Sequence, residues 1–175
     1  MTHGSTIYKE SQGLNPRLVF PIVAFLIAVS AYLVIEQLIG GNPVGDNPAS
    51  DEGLVLIVLF TGLLLPAFLL TLKLRTVVDQ ESIHLNVFPL KRSTIPVDDI
   101  AGFWIKSYDW LRDYGGFGIR VNSEGWAYIM QGGRGVQIQR RDGTRVLIGS
   151  ADSEGFIQAL RMATGLTESL ERGRE

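Results

Sequence analysis

The chain has 175 residues, of which 46% are hydrophobic, and its 16 basic and 18 acidic residues give a net charge of −2. It contains no cysteine, which excludes disulfides, thiolate metal sites and cysteine nucleophiles. Two of the basic and five of the acidic residues precede Lys73, so the segment from Lys73 onward has 14 basic and 13 acidic residues. Because these charges nearly balance, the sequence predicts no nucleic-acid partner.

The N-terminal part of the chain changes abruptly from polar to apolar. Residues 1–17 have few apolar side chains, and we expect them to form a flexible cytoplasmic tail. Residues 18–39 are apolar except near their end, where Glu36 can reach a membrane interface, and their length predicts a first transmembrane helix. The small residues Ala28 and Ser30 also leave open a cleaved signal peptide, but a second apolar segment favours an uncleaved helix.

Residues 54–72 carry no charge and predict a second transmembrane helix. The loop between the helices, residues 40–53, is acidic and has no Lys or Arg. The basic residues flank the two helices on their other ends: Lys9, Arg17, Lys73 and Arg75. The positive-inside rule therefore predicts an extracytoplasmic loop and two cytoplasmic termini, with the protein in the cell membrane.

Small residues recur on one face of the first predicted helix. Ala24, Ala28 and Ala31 follow one another at spacings of four and three. Small side chains let helix backbones approach closely in lipid, so this face predicts helix packing against the second helix or another copy. Alanine is also common in such helices without any contact, and both interpretations stay open.

Residues 73–165 predict a separate cytoplasmic domain rich in strands. Ile83, Leu85 and Val87 alternate with polar residues, as in a half-buried strand, and Asp142-Gly143 is a hairpin signal. An amphipathic helix ends the domain, with an apolar face formed by Phe156, Ile157, Leu160 and Ala163. Residues 166–175 are charged and predict a disordered tail.

This order of elements predicts an α+β domain after a two-helix transmembrane hairpin: a bent barrel of seven or eight antiparallel strands, capped by the C-terminal helix. Turn glycines and apolar residues characterise its second half, at residues 114–120, 125–128, 134–136 and 142–150. In these motifs the chain resembles small bacterial membrane proteins with a pleckstrin-homology-like (PH-like) domain after a two-helix anchor. The resemblance implies a fold and almost no assigned biochemistry.

Catalytic and metal-binding patterns are sparse. His84 alternates with core positions on a predicted strand, and no second histidine has a metal-ligand spacing from it. Asp98 and Asp99 suit the start of a helical turn. The glycine-rich stretches lie outside any strand–turn–helix unit that would bind phosphate. We therefore expect no enzyme activity and no cofactor.

Two stretches combine apolar or aromatic side chains with cations, as surfaces that meet lipid headgroups do. The first is a predicted hairpin tip, and its candidate contact residues are Phe88, Leu90, Lys91 and Arg92. The second is a long loop at residues 107–116, with candidate contacts Tyr108, Trp110, Arg112 and Tyr114. Packing of this loop over the end of the barrel is the alternative.

The sequence thus predicts a non-enzymatic integral membrane protein whose PH-like domain binds a protein or lipid partner at the bilayer surface. The alternative is a structural homo-oligomer assembled through the transmembrane hairpin.

Overall fold

The computed structural model describes residues 5–166. The chain divides into two compact units, one formed by Leu14–Leu72 and the other by Met1–Gly13 together with Lys73–Glu175. Residues 1–4 of the expected N-terminal tail, and the expected C-terminal tail from residue 167 onward, lie outside the described residues.

The unit Leu14–Leu72 contains two helices that are long and apolar enough to span a membrane. The first apolar helix comprises α1 (Pro16–Leu33) and a π-helical continuation (Val34–Ile39); the second comprises α2 (Asp51–Val58), π-helical turns (Leu59–Leu64) and α3 (Leu65–Thr71). Both begin before the predicted apolar runs because polar side chains cap them. The Asn15 side chain accepts a hydrogen bond from the Arg17 amide, and the Ser50 hydroxyl accepts one from the Gly53 amide.

The two apolar helices meet at a small polar contact. The Thr61 hydroxyl donates to the carbonyl of Ile57 at 2.8 Å, so the Ser30 hydroxyl donates to Thr61, at 3.0 Å. A Cβ on Gly62 would lie 2.9 Å from the Ser30 side chain, so only glycine permits this approach. The helices are therefore held together by a hydrogen bond and a glycine contact.

The three alanines predicted to pack are exposed. Ala24, Ala28 and Ala31 are all accessible, whereas the hydrogen bond to the second helix comes from Ser30, which is buried. Of the three, Ala31 also lines the groove between the two helices, together with Val58 and Gly62 of the second helix. Contact of these alanines with another copy stays a prediction.

The other unit begins with a four-stranded antiparallel sheet in the order β1-β2-β3-β4. Its strands are β1 (Tyr8–Gly13), β2 (Lys73–Val78), β3 (Ser82–Phe88) and β4 (Lys91–Pro96). The expectation of a flexible tail is wrong for Tyr8–Gly13, because this segment pairs with β2 along its whole length, from Tyr8 opposite Val78 to Gly13 opposite Lys73.

Side-chain contacts fix β1 to the opposite end of the sequence. The Tyr8 ring stacks on Phe156, with ring centroids 5.3 Å apart. The Glu10 carboxylate accepts hydrogen bonds from the Ser150 hydroxyl and the Ala151 amide, each at 2.7 Å. These inward-facing side chains are polar or amphipathic, so the strand has no apolar alternation by which the sequence could reveal it.

The second sheet has five strands in the order β5-β8-β9-β7-β6. They are β5 (Ile100–Tyr108), β6 (Gly118–Asn122), β7 (Gly125–Ile129), β8 (Gly133–Arg140) and β9 (Arg145–Gly149). Strands β7 and β9 are parallel, whereas the other pairs are antiparallel. Gly143, with φ of 84°, lies in the turn between β8 and β9, which confirms the hairpin predicted there.

The predicted barrel is wrong in three respects. The sheets are two separate open sheets, the strands within residues 5–166 number nine, and one pair is parallel. The extra strand is β1, and the parallel pair arises because the β6–β7 hairpin, which precedes β8 in the sequence, adds beside β9. The coarser prediction, two apolar helices followed by a sheet-rich domain with a C-terminal helix, is confirmed.

Helix α4 (Ser153–Thr164) covers the core of this unit. Phe156, Ile157 and Leu160 are buried, as predicted from the apolar face of the helix. Asp152 caps its first turn through the Gly155 amide, and Gly165, with φ of 68°, ends it in the left-handed conformation.

Candidate functional site: the β3–β4 tip and the neighbouring cavity

The turn between β3 and β4 carries an exposed apolar and cationic surface, here called the tip and comprising residues 88–92. Phe88 and Leu90 are 51% and 54% exposed, although both are large apolar residues. Lys91 and Arg92 beside them are exposed as well. The predicted combination of apolar side chains and cations is therefore present at the surface.

The register of the sheet places the tip beside the points where the chain leaves this unit. Gly13 lies opposite Lys73 on β2, and Lys73 lies opposite Phe88 on β3. Gly13 is followed in sequence by Leu14, and Lys73 follows Leu72, the two ends of the helical unit. Paired strands lie about 4.8 Å apart, so the tip is about one strand away from one connection and two from the other.

A cavity opens between the edge strand β4 and strands β7 to β9. Its volume is about 190 Å³, and its lining includes Lys91, Ser93, Thr94, Trp126, Tyr128 and Arg140. The Lys91 Nζ lies 4.2 Å from the centre of the Trp126 ring, which is 43% exposed. The cavity therefore has an aromatic wall formed by Trp126 and Tyr128, a hydroxyl group from Ser93, and two cations.

The two cations differ in what neutralises them. Arg140 Nε donates to the Asp99 carboxylate at 2.6 Å, and its Nη1 lies 3.4 Å from the Asp142 carboxylate. Hydrogen bonds from the hydroxyl and amide of Thr144 hold the pKa of Asp142 below its usual range, so this carboxylate stays charged. Among the described residues, no carboxylate forms an ion pair with Lys91, which leaves its charge available to a ligand.

Two of the aromatic residues predicted as loop contacts belong to the core. Tyr108 and Tyr114 are only 7% and 8% exposed, and their rings pack edge to face with centroids 5.8 Å apart. The Tyr108 hydroxyl donates to the carbonyl of Gln131 at 2.8 Å, and burial raises the pKa of its phenol. The prediction that these two side chains offer a contact surface is therefore wrong, because they pack with Ala127, Ile129 and Leu147.

Trp110 is partly buried, and its contacts are those of a packed side chain. Its ring stacks on Phe117, with ring centroids 4.1 Å apart. The Trp110 ring also lies so close to Gly132 that a Cβ added at residue 132 would overlap the ring. Asp109 fixes this loop by accepting from the amides of Leu111 and Arg112, which lowers the pKa of its carboxyl. Arg112 is exposed, so of the four predicted loop contacts only Trp110 and Arg112 retain accessible surface.

Trp126 was not among the predicted contact residues. It lies on β7 opposite Val121 of the edge strand β6, which is also exposed. Alternation along β7 assigns Trp126 to one face of the sheet, but only the structure shows that Lys91 of β4, a strand of the other sheet, lies beside this face. No signal in the sequence reveals this contact.

The remaining polar clusters among the described residues are surface pairs. His84 Nε2 lies 3.0 Å from the Asp79 carboxylate, and no group of three or more His, Asp or Glu side chains in residues 5–166 could hold a metal ion.

No protein-family model matches the sequence, and no curated protein is significantly similar to it.

Proposed function

We propose that this chain is a non-enzymatic integral membrane protein whose PH-like domain binds a protein or lipid partner at the cytoplasmic membrane surface. The two open sheets and the covering helix α4 support the PH-like architecture, with the β6–β7 hairpin and its parallel pairing as departures from it. The observation that carries the proposal is that Gly13, Lys73 and Phe88 lie side by side on three neighbouring strands. Because Gly13 and Lys73 adjoin the two apolar helices, this register supports a position at the bilayer for the apolar and cationic tip.

The pairing of β1 with β2 also supports the topology. The segments before and after the helical unit belong to one sheet, so both must lie on the same side of a membrane that the two helices span. The positive flanks Lys9, Arg17, Lys73 and Arg75, against the acidic loop between the helices, favour the cytoplasmic side.

Single-cysteine variants test the topology without background, because the chain has no cysteine. Ser11→Cys and Ser107→Cys, both exposed, should react with a membrane-impermeant thiol reagent only after cells are opened. Asp46→Cys, between the helices, should react in intact cells. Labelling of Ser107→Cys in intact cells would place the domain outside and contradict the proposal.

An environment-sensitive dye tests the position of the tip. A dye on Leu90→Cys of the full chain in vesicles should report an apolar environment and resist an aqueous quencher. Glu81→Cys is the matched control, because Glu81 is exposed in the turn at the other end of β3. Equal quenching of both dyes would show that the tip does not touch the bilayer.

The alternative is a homo-oligomer assembled through the two apolar helices. It is favoured by the exposure of Ala24, Ala28 and Ala31, which leaves this face free for another copy. Ala28→Cys should then form a disulfide-linked dimer in membranes under mild oxidation, whereas Leu56→Cys on the second helix, equally exposed, should not. Equal cross-linking of both variants would indicate random collision.

A further inference from the structure

We propose that the cavity beside β4 binds the phosphate group of an anionic phospholipid from the bilayer that holds the chain. This inference rests on the proposed function, because it needs the cavity to lie at the membrane surface. It specifies the partner as a lipid and assigns its headgroup to a site formed by Lys91, Ser93 and Trp126.

The charge in the cavity is the first argument. A phosphate group needs a cation that is not already neutralised and hydrogen-bond donors beside it. Lys91 forms no ion pair within the described residues, and Ser93, two residues further along the same face of β4, adds a hydroxyl group to the cavity lining. An ammonium group is a compact point charge that suits phosphate, so Lys91 is the primary ligand.

Arg140 has a different part in the same cavity. Its guanidinium is already paired with the Asp99 and Asp142 carboxylates, which neutralise its charge. Lys91, whose ammonium lies over Trp126, is therefore the cation of the cavity that a ligand can engage. One such cation suits a ligand with a single negative charge.

The size and the edge of the cavity exclude larger partners. A volume of about 190 Å³ is below the roughly 300–1,000 Å³ typical of pockets for drug-sized ligands, and it suits one small headgroup. A partner strand could in principle add to β4, since this strand is an edge. Lys91, which points inward, and Pro96, which lacks an N–H, are devices that protect such edges from strand addition.

The source of the phosphate follows from the register of the sheet. Lys91 pairs with Val87, next to Phe88, which lies opposite the first residue after the helical unit. Phe88 and Leu90 are exposed on the same hairpin and can contact the glycerol and upper acyl region. Tethering also gives bilayer lipids a high effective concentration at the cavity, which a free anion lacks.

Fluorine NMR of the full chain in detergent, labelled with fluorotryptophan, provides the test. The three tryptophans give three resonances, of which Trp126 lines the cavity while Trp104 and Trp110 do not. The probes are short-chain phosphatidylglycerol, phosphatidylcholine of the same chain length, and inorganic phosphate. We expect phosphatidylglycerol alone to move the Trp126 resonance at low concentration, while the other two resonances report that the fold is unchanged.

Three variants make the test specific. Lys91→Gln should weaken the phosphatidylglycerol response by about tenfold or more, as loss of one charge-assisted hydrogen bond does, and Lys91→Arg should restore most of it. Arg120→Gln is the matched control, because Arg120 is an exposed cation outside both the tip and the cavity lining, and it should change the response by less than about threefold.

Each contrary result has a distinct meaning. An equal response to phosphatidylcholine, or an unchanged response in Lys91→Gln, would overturn the phosphate site. A response to inorganic phosphate as strong as that to phosphatidylglycerol would overturn the lipid as its source. If the dye on Leu90→Cys stays protected in either case, the proposed function stands and only this inference fails. If that dye is quenched, the membrane position of the tip fails, and the bilayer fails with it as the source of the phosphate, even where the Lys91-dependent response persists.

Discussion

Gly13 and Lys73 lie opposite each other in paired strands, although the whole helical unit, Leu14–Leu72, separates them in the sequence. The two apolar helices are thus an insertion into a β-hairpin. The sheet-rich unit is therefore connected to the helical unit through two adjacent strands instead of one flexible linker. The N-terminal segment is therefore part of the fold, and changes to it should alter the stability of the domain.

Removal of the Glu10 carboxylate tests how much β1 contributes. Glu10→Ala should lower the free energy of unfolding by about 1–3 kcal/mol, because the Ser150 hydroxyl and the Ala151 amide lose their acceptor. Ser11→Ala is the control on the same strand, since Ser11 is exposed, and should change it by less than about 0.5 kcal/mol. Chemical unfolding of the full chain in detergent measures both; equal effects would mean that β1 is not fixed by Glu10.

The failure to predict β1 has a physical reason. The strand turns Tyr8, Glu10 and Gln12 inward, and they are stabilised by hydrogen bonds and one ring contact instead of apolar burial. Periodicity detects apolar faces only. For that reason the apolar helices, the strand containing Ile83, Leu85 and Val87, and helix α4 were predictable, whereas β1 and the order of strands in the second sheet were not.

The candidate site was predictable only in part. The tip was visible because apolar and cationic residues occupy a turn, where no sheet neighbour can cover them. In residues 107–116 the same residue types lead to burial, because Tyr108 ends a strand and Tyr114 folds back onto it. Aromatic content alone does not distinguish a binding loop from one that closes a core, and Trp126 became a candidate only through its distance to Lys91.

Alkaline pH should destabilise the sheet-rich domain through its buried phenols. Burial raises the pKa of Tyr108, and burial likewise raises the pKa of Tyr8. Below about pH 10 the phenols are protonated in both states; above it the unfolded state ionises first, so stability is lost as the pH rises. Tm should fall above about pH 10, and less steeply in Tyr108→Phe. The difference in Tm between wild type and Tyr108→Phe at pH 7 reports the separate cost of the lost hydrogen bond. If Tm falls equally steeply with pH in both proteins, Tyr108 does not cause the alkaline destabilisation.

Ser30 should stabilise the contact between the two apolar helices. Ser30→Ala removes the hydrogen bond to Thr61, and interhelical hydrogen bonds in membranes contribute about 0.5–2 kcal/mol. Thr71→Val is the matched control, because the Thr71 hydroxyl donates only to Phe68 of its own helix. Unfolding in mixed detergent measures both variants. A loss in Thr71→Val as large as that in Ser30→Ala would show that the interhelical bond adds nothing.

Trp110 provides the decisive test between packing and binding for the loop at residues 107–116. Its stacking on Phe117 and its cover of Gly132 predict that Trp110→Ala lowers the free energy of unfolding, by about 1–3 kcal/mol for a partly buried ring. Leu111→Ala is the control, because Leu111 is 59% exposed, and its cost should stay below about 0.5 kcal/mol.

A third variant, Trp110→Phe, helps to distinguish packing from binding. If Trp110 acts only in packing, Trp110→Phe should recover most of the stability, and Leu111→Ala of the full chain should leave its contact with lipid vesicles unchanged. If Trp110→Ala keeps wild-type stability but weakens association with vesicles, the ring is a contact residue and the packing interpretation is wrong. The geometry favours packing, since Trp110 lies between an aromatic ring and a glycine that has no room for any other side chain.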